Sequence, residues 1–205
     1  LCPRFTGAII KGVKIGPSPD WLRKNLEAVG QKSINNIVDA TNFVMLDIGQ
    51  PLHAFDMGKL KQKSGIALSI RLAKSGEKLM GLDDKEYALA PSMLVIEDAN
   101  ADVVASIAGI KGGKPTGIDE TTTDIFLEAA NWDGVTIRKT SQSLKLRTDA
   151  SSRFEQVISP EMAAHGIRAA AKLIMELAGG ELAGFADVYP HVQEKKHVSV
   201  ALAKI

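Results

Sequence analysis

Two hydrophobic periods divide this chain, and their order along it limits the folds open to it. Ile66, Leu68, Ile70 and Leu72 alternate with Ala67, Ser69 and Arg71, the period of a strand with one covered face. Further strands are predicted at Met93 to Glu97, Val103 to Ala108 and Ile125 to Ala129, with Tyr87 to Leu89 after a Leu82-Asp83-Asp84-Lys85 turn. Phe5 to Ile15 is also strand-like, up to Gly16-Pro17. Most of these strands form a central block and do not alternate with helices. That order argues against a doubly wound parallel sheet and for an α+β fold, with mixed or antiparallel sheets packed against several helices.

Helical spacing governs the flanks. Ser18 reads as an N-cap with Pro19 at the first helical position. Trp21, Leu22, Leu26 and Val29 form the stripe behind them, and Gly30 closes it. A second helix is predicted from Asn36 to Ile48, with Ile37, Thr41, Val44, Met45 and Ile48 on one face and Gly49 at its end. Gln50 to Asp56 then reads as a loop. After Trp132, Asp133 caps a helix running to Leu144, and a polar loop leads to a short helix carrying Phe154 and Val157. Ser159-Pro160 opens the last long helix, striped by Ala163, Ile167, Ala170, Ile174 and Leu177 and stopped by Gly179-Gly180. His191 to Lys196 reads as a linker.

Composition narrows the classes further. With 205 residues, 45% hydrophobic and 24% charged, the chain has the mix of an ordinary globular protein. It can bury a core without metal or disulfide staples, as one large domain or two intertwined small ones. Cys2 is the single cysteine, which excludes an internal disulfide and a multi-cysteine zinc site and fits a reducing compartment. The net charge of +1 leaves nucleic-acid binding to local patches. No apolar run reaches a membrane-spanning length of about 18 residues, and no signal peptide is visible. The start at Leu1 and the strand-like pattern at Val198 to Ile205 give the expectation of a piece of a longer protein.

Several residue groups are candidates for chemistry. Glu128 stands in the apolar run Ile125-Phe126-Leu127-Glu128-Ala129-Ala130. By alternation it shares a face with Phe126 and Ala130. Either it points to water from a half-exposed strand, or it is buried and kept for a ligand. The segment Gly109 to Gly117 fits neither the P-loop nor the dinucleotide fingerprint. Its glycines allow backbone N–H groups to approach a ligand, or form a plain hairpin loop. His53, His165, His191 and His197 show no metal-ligand spacing, and no metal is expected. His53, in its loop, has no partner adjacent in sequence. Thr41 and Asn42 are mediocre helix formers inside a helix. They either present polar groups to a site or are one buried threonine and one solvated asparagine. From Arg138 to Arg153, five basic residues face one acid. That run is either a phosphate-contacting patch or a solvated helix face.

The run Asn35 to Leu46, followed by Gly49-Gln50-Pro51-Leu52-His53-Ala54-Phe55-Asp56, resembles the central editing module of the β subunit of bacterial-type phenylalanyl-tRNA synthetases. The likeness continues through Gly109-Ile110-Lys111-Gly112-Gly113, Phe126 to Ala130 and Leu146 to Glu155, over about residues 1 to 190. Residues 191 to 205 would be a linker and the start of the next module. The resemblance implies hydrolysis of tyrosine mistakenly attached to the phenylalanine tRNA. Glu128 and Gly112 would hold the tyrosine hydroxyl. Thr41, Asn42, Pro51 and Ala150 would contribute to substrate binding, and His53 and Thr148 would serve the hydrolytic step. Arg147 and Arg153 are candidates to guide the tRNA acceptor end. An ionised Glu128 is expected, since a charged acceptor strengthens the bond from a phenol.

The resemblance also implies a cytoplasmic heterotetramer of two α and two β subunits. ATP and Mg²⁺ would serve the whole enzyme, whereas this chain is expected to hold no cofactor or metal and to meet no membrane. A degenerate, non-catalytic module that binds tRNA or partner subunits is the alternative. A free amino-acid or aminoacyl-ester binding protein on the same fold is a third.

Overall fold

Two antiparallel four-stranded sheets divide the work of burying this chain. The computed structural model describes residues 1–63, 65–194, 197, 199 and 200. The first sheet has the order β10-β1-β9-β2, from Glu181–Val188, Arg4–Lys11, Asp124–Asn131 and His53–Asp56. The second has the order β3-β6-β7-β8, from Leu68–Leu72, Leu94–Asp98, Val103–Ile107 and Lys111–Gly112. A hairpin of β4 (Lys78–Met80) and β5 (Glu86–Ala88) touches the glycine-rich segment through a Gly81–Gly113 bridge. All of the second sheet comes from the chain between β2 and β9. The helices are α1 (Asp20–Ala28), α2 (Asn36–Ile48), α3 (Gly134–Leu144), α4 (Asp149–Phe154) and α5 (Glu161–Ala178). The fold is α+β.

Alternation along β9 separates two cores. Ile125, Leu127 and Ala129 face a cluster with Ile37, Ala40 and Val44 of α2 and Ala163, Ile167, Ala170 and Ile174 of α5. Phe126 and Ala130 face the other side, with Phe55 and with Val95, Ile96 and Ile107 of the second sheet. Leu127 is fully buried, and truncating such a leucine to alanine costs about 2–5 kcal/mol. Arg4 ties the ends together. It meets Asp187 of β10 through two bonds, at 2.9 and 2.7 Å, and Glu161 at the head of α5 at 2.9 Å.

Local signals hold where they are strong. The Asn35 side chain accepts from the Ile37 and Val38 N–H groups, and Gly49 ends α2 at φ 84°, so both bounds of that helix are as predicted. Asp133 caps α3 by accepting from Thr136 N–H. Elsewhere neighbours override them. β1 stops at Lys11, where Gly12 turns at φ 73°. Ser18 does not cap α1, because its hydroxyl donates to the buried Asp39 at 2.6 Å and Pro19 takes the cap position. Pro160 does the same at α5. Trp21 and Val29 are exposed, leaving Leu22 and Leu26 to carry α1. The short helix ends at Phe154, and Val157 lies beyond it, exposed and left-handed. Four strands, β2, β4, β8 and β10, stand where none was predicted. Residues 191–194 follow β10 without regular structure. The rest of the predicted linker and next module, at 195, 196, 198 and 201–205, lies outside the described residues. Among the described residues no helix is long and apolar enough to cross a membrane.

Candidate functional site

His53 and Glu128 are brought face to face by the sheet. His53 opens β2, not a loop as predicted, and its register partner on β9 is Glu128. Directly opposed residues of an antiparallel pair put their side chains on the same face. That face is closed over by the second sheet, so Glu128 is only 6% exposed. The outward-facing alternative therefore fails, and the alternation that placed Glu128 beside Phe126 and Ala130 holds. Across the sheet His53 gains a titratable neighbour remote in sequence, though no hydrogen bond joins the two among the described residues.

Beside this pair lies a cavity of about 100 Å³, somewhat smaller than the roughly 150 Å³ space known to take a benzene ring. Pro51, Leu52, His53 and Glu128 form one wall. Ser106, Ile107 and the segment Gly109 to Gly112 form a second, and Trp132, Ala150 and Phe154 close it. Gly112 is required by contact, since a Cβ there would sit 2.4 Å from His53 Cε1. Gly113 N–H donates to Ala105 O at 2.9 Å, so Gly112 and Ser106 form a non-hydrogen-bonded pair and Gly112 N–H lies outside the β7 ladder. On that outer side Gly112 O accepts from Leu82 N–H at 3.1 Å. The glycine-rich segment is thus a short strand, β8, followed by a single 3-10 turn at Lys114–Thr116.

Burial sets the protonation of both central groups. It pushes Glu128 up to about 8 and His53 down to about 4, because taking a charge out of water disfavours the charged form. At neutral pH a neutral carboxyl therefore stands beside a neutral imidazole. This corrects the expectation of an ionised Glu128. A neutral carboxyl can both accept and donate a hydrogen bond. Glu128 makes no side-chain hydrogen bond among the described residues, and the buried His53 Nε2 has none either. The Cys2 thiol lies close enough for Glu128 to help raise it, and with burial as the larger cause it is pushed up to about 12.

Other sequence candidates fall differently. Pro51 and Ala150 line the cavity; Thr41 and Asn42 do not. Thr41 is buried on α2, its hydroxyl donating to Val38 O at 2.7 Å. Thr148 does not line it either. Its hydroxyl oxygen accepts from Ser151 N–H at 3.0 Å, while Thr148 N–H donates to Ser151 Oγ at 2.9 Å, a reciprocal cap on α4. Thr148 therefore holds the helix that carries Ala150 and Phe154. Arg147 pairs with Glu155, and Arg153 with Asp149 at 3.2 Å. Sequence reasoning missed Trp132, although counting on by two from Glu128 and Ala130 reaches it. Phe154, four residues after Ala150 on α4, carried a comparable helical signal. Ser106 carried none. No group of three His, Cys, Asp or Glu among the described residues is placed to hold a metal ion.

The sheet and the glycine strand together set a buried carboxyl and an imidazole at the wall of one small cavity. The chain belongs to the B3/4 domain family, whose model matches residues 1–179. It is 46% identical over its whole length to the phenylalanine–tRNA ligase β subunit of Dehalococcoides mccartyi (strain CBDB1), covering 25% of that protein. It is likewise 46% identical to the β subunit of Bdellovibrio bacteriovorus, again over 100% of this chain and 25% of that one. The chain spans about a quarter of the length of these curated relatives. An N-terminal fragment of the phenylalanyl-tRNA synthetase β subunit from Pyrococcus horikoshii superposes with a TM-score of 0.43 at 16% identity, over 69% of this chain and 44% of that one. That likeness is too loose to bear on function.

Proposed function

We propose that this chain is the editing module of a phenylalanine–tRNA ligase β subunit, hydrolysing tyrosine mistakenly esterified to tRNA(Phe). The observation that carries this reading is the buried Glu128 carboxyl, without a hydrogen-bond partner among the described residues, at a small cavity lined by Gly112 and His53. A synthetic site built for phenylalanine rejects an added hydroxyl by only about 10². A second pocket that hydrogen-bonds that hydroxyl discriminates by roughly 10⁴–10⁵, because the unhydroxylated analogue leaves buried polar groups unpaired. Glu128 can accept a hydrogen bond from the phenol O–H at its carbonyl oxygen and donate one through its own O–H.

The reaction needs a water placed against the ester carbonyl and donors for the developing oxyanion. In this reading His53, held neutral by burial, orients the water or the ester. Thr148 acts through α4. For the tRNA, a hollow of about 520 Å³ is bordered by Arg138, Lys145 and Arg147 with Gln142 and Gln156. Arg147 is tied to Glu155, and Arg138 and Lys145 hold no ion pair among the described residues, which makes them better phosphate contacts than Arg147 or Arg153. In this reading the α subunit, in an α₂β₂ assembly in the cytoplasm, uses ATP and Mg²⁺ for activation, and this chain contributes no residue to that step.

Calorimetric titration with L-tyrosine and L-phenylalanine, beside a Glu128→Ala variant, tests the reading. Tyrosine is expected to bind in preference to phenylalanine, and the preference to vanish in the variant. Equal or absent binding in both would support a non-catalytic module that binds tRNA or a partner subunit.

A further inference from the structure

The β2–β9 ladder meets a proline where it should gain a rung, and a neighbouring side chain takes over. Met57 N–H donates to Asp124 O at 3.0 Å, which makes that pair a hydrogen-bonded one. Counting two residues at a time along the register, Phe55 with Phe126 and His53 with Glu128 are pairs of the same kind. The next would be Pro51 with Ala130, but Pro51 has no N–H to give. Ala130 O would be left buried without its donor. Instead the Gln50 side-chain amide donates to Ala130 O at 2.9 Å and to Pro51 O at 2.8 Å.

The geometry points to Gln50 as a positioning residue of the site, a side-chain substitute for the missing rung that holds the Pro51–His53 wall against β9 and keeps His53 opposite Glu128. Gln50 is fully buried. Both of its partners are carbonyl oxygens, so the amide must present its NH₂ to them. Its Oε1 is consequently left without a partner among the described residues, a cost that the two donated bonds offset. The fold makes room for it, since a Cβ on Gly166 of α5 would lie 2.5 Å from Gln50 Cγ. The left-handed Gly49 cap turns the chain out of α2 just before this residue. Proline at 51 gives the cavity a rigid apolar wall with φ fixed, and Gln50 restores the pairing that the proline removes.

This inference rests on the proposed tyrosine pocket, and a rescue design separates the two. Gln50→Met keeps the volume and removes both donors. Pro51→Ala returns a backbone N–H to the rung. In Gln50→Met the amides of His53 and Glu128 are expected to exchange roughly tenfold faster, with protection in the α2–α5 core unchanged, and tyrosine preference to fall by a similar factor. The double variant Gln50→Met/Pro51→Ala is expected to recover the exchange protection of His53 and Glu128 relative to Gln50→Met. Unchanged exchange in Gln50→Met overturns the inference, as does failure of the double variant to recover. Faster exchange with tyrosine preference intact reduces Gln50 to a structural residue and also overturns it. If the unmodified protein shows no tyrosine preference, the proposed function fails, while exchange and its recovery still decide whether Gln50 sets the His53–Glu128 rung.

Discussion

Replacing Glu128 by glutamine changes a titrating buried group into a permanently neutral one of the same shape. The folded state holds the Glu128 proton up to about pH 8, whereas an exposed glutamate releases it near 4.5. Below the lower value both folded and unfolded chains are protonated, and Glu128 costs nothing. Between the two values only the folded chain keeps the proton, so the stability of the unmodified protein falls by about 1.4 kcal/mol per pH unit as pH rises. Glu128→Gln escapes that loss. Its advantage is expected to grow from near zero at pH 4.5 to about 3 kcal/mol at pH 7 and to level off above pH 8. His53 works in the opposite direction. Its folded value is lowered from 6.5 to about 4, so it contributes stability above 6.5 that is lost as pH falls towards 4. It is common to both proteins and cancels in their difference. Urea denaturation of the pair at intervals between about pH 5 and 8 measures this, with equal m-values confirming that the same surface is exposed. A difference that does not change with pH would mean that the carboxyl is hydrated or ionised in the folded protein, and the account of the cavity given above would be wrong.

Thr148→Ala removes the reciprocal cap on α4 and is expected to cost about 1 kcal/mol, read as a lower thermal midpoint, with Thr148→Ser restoring it. Lost tyrosine binding at an unchanged midpoint would instead give Thr148 a direct role with the substrate. Reversing the charge of Arg138 and Lys145 together is expected to weaken binding of uncharged tRNA and to flatten its salt dependence by about two in slope, leaving tyrosine affinity unmoved. An unchanged slope would remove the basic hollow from the RNA path.

What could be read from the chain alone depended on how locally each signal acts. α2 was legible at both ends because Asn35 and Gly49 act on backbone groups within a turn of themselves. The face of Glu128 followed from period-two alternation, which needs only the neighbours on β9. The glycine at 112 looked like a loop residue, because the ring that demands it belongs to His53. β2 is four residues long and became a strand only by pairing with β9. β10 is an edge strand whose residues are nearly all exposed, so it carries no alternation to detect. Ser18 had the right chemistry for a cap and spent it on Asp39, which folding alone brought near.

The sequence by itself determined the α+β class, the main helices, the two faces of β9 and the family resemblance, since these rest on short-range spacing and on motifs in order. The tertiary structure decided that His53 faces Glu128, that burial favours the neutral form of both, and that Gln50 completes the rung Pro51 cannot. Each of these depends on strand register and on the covering of one sheet by another, contacts between residues that no local pattern connects.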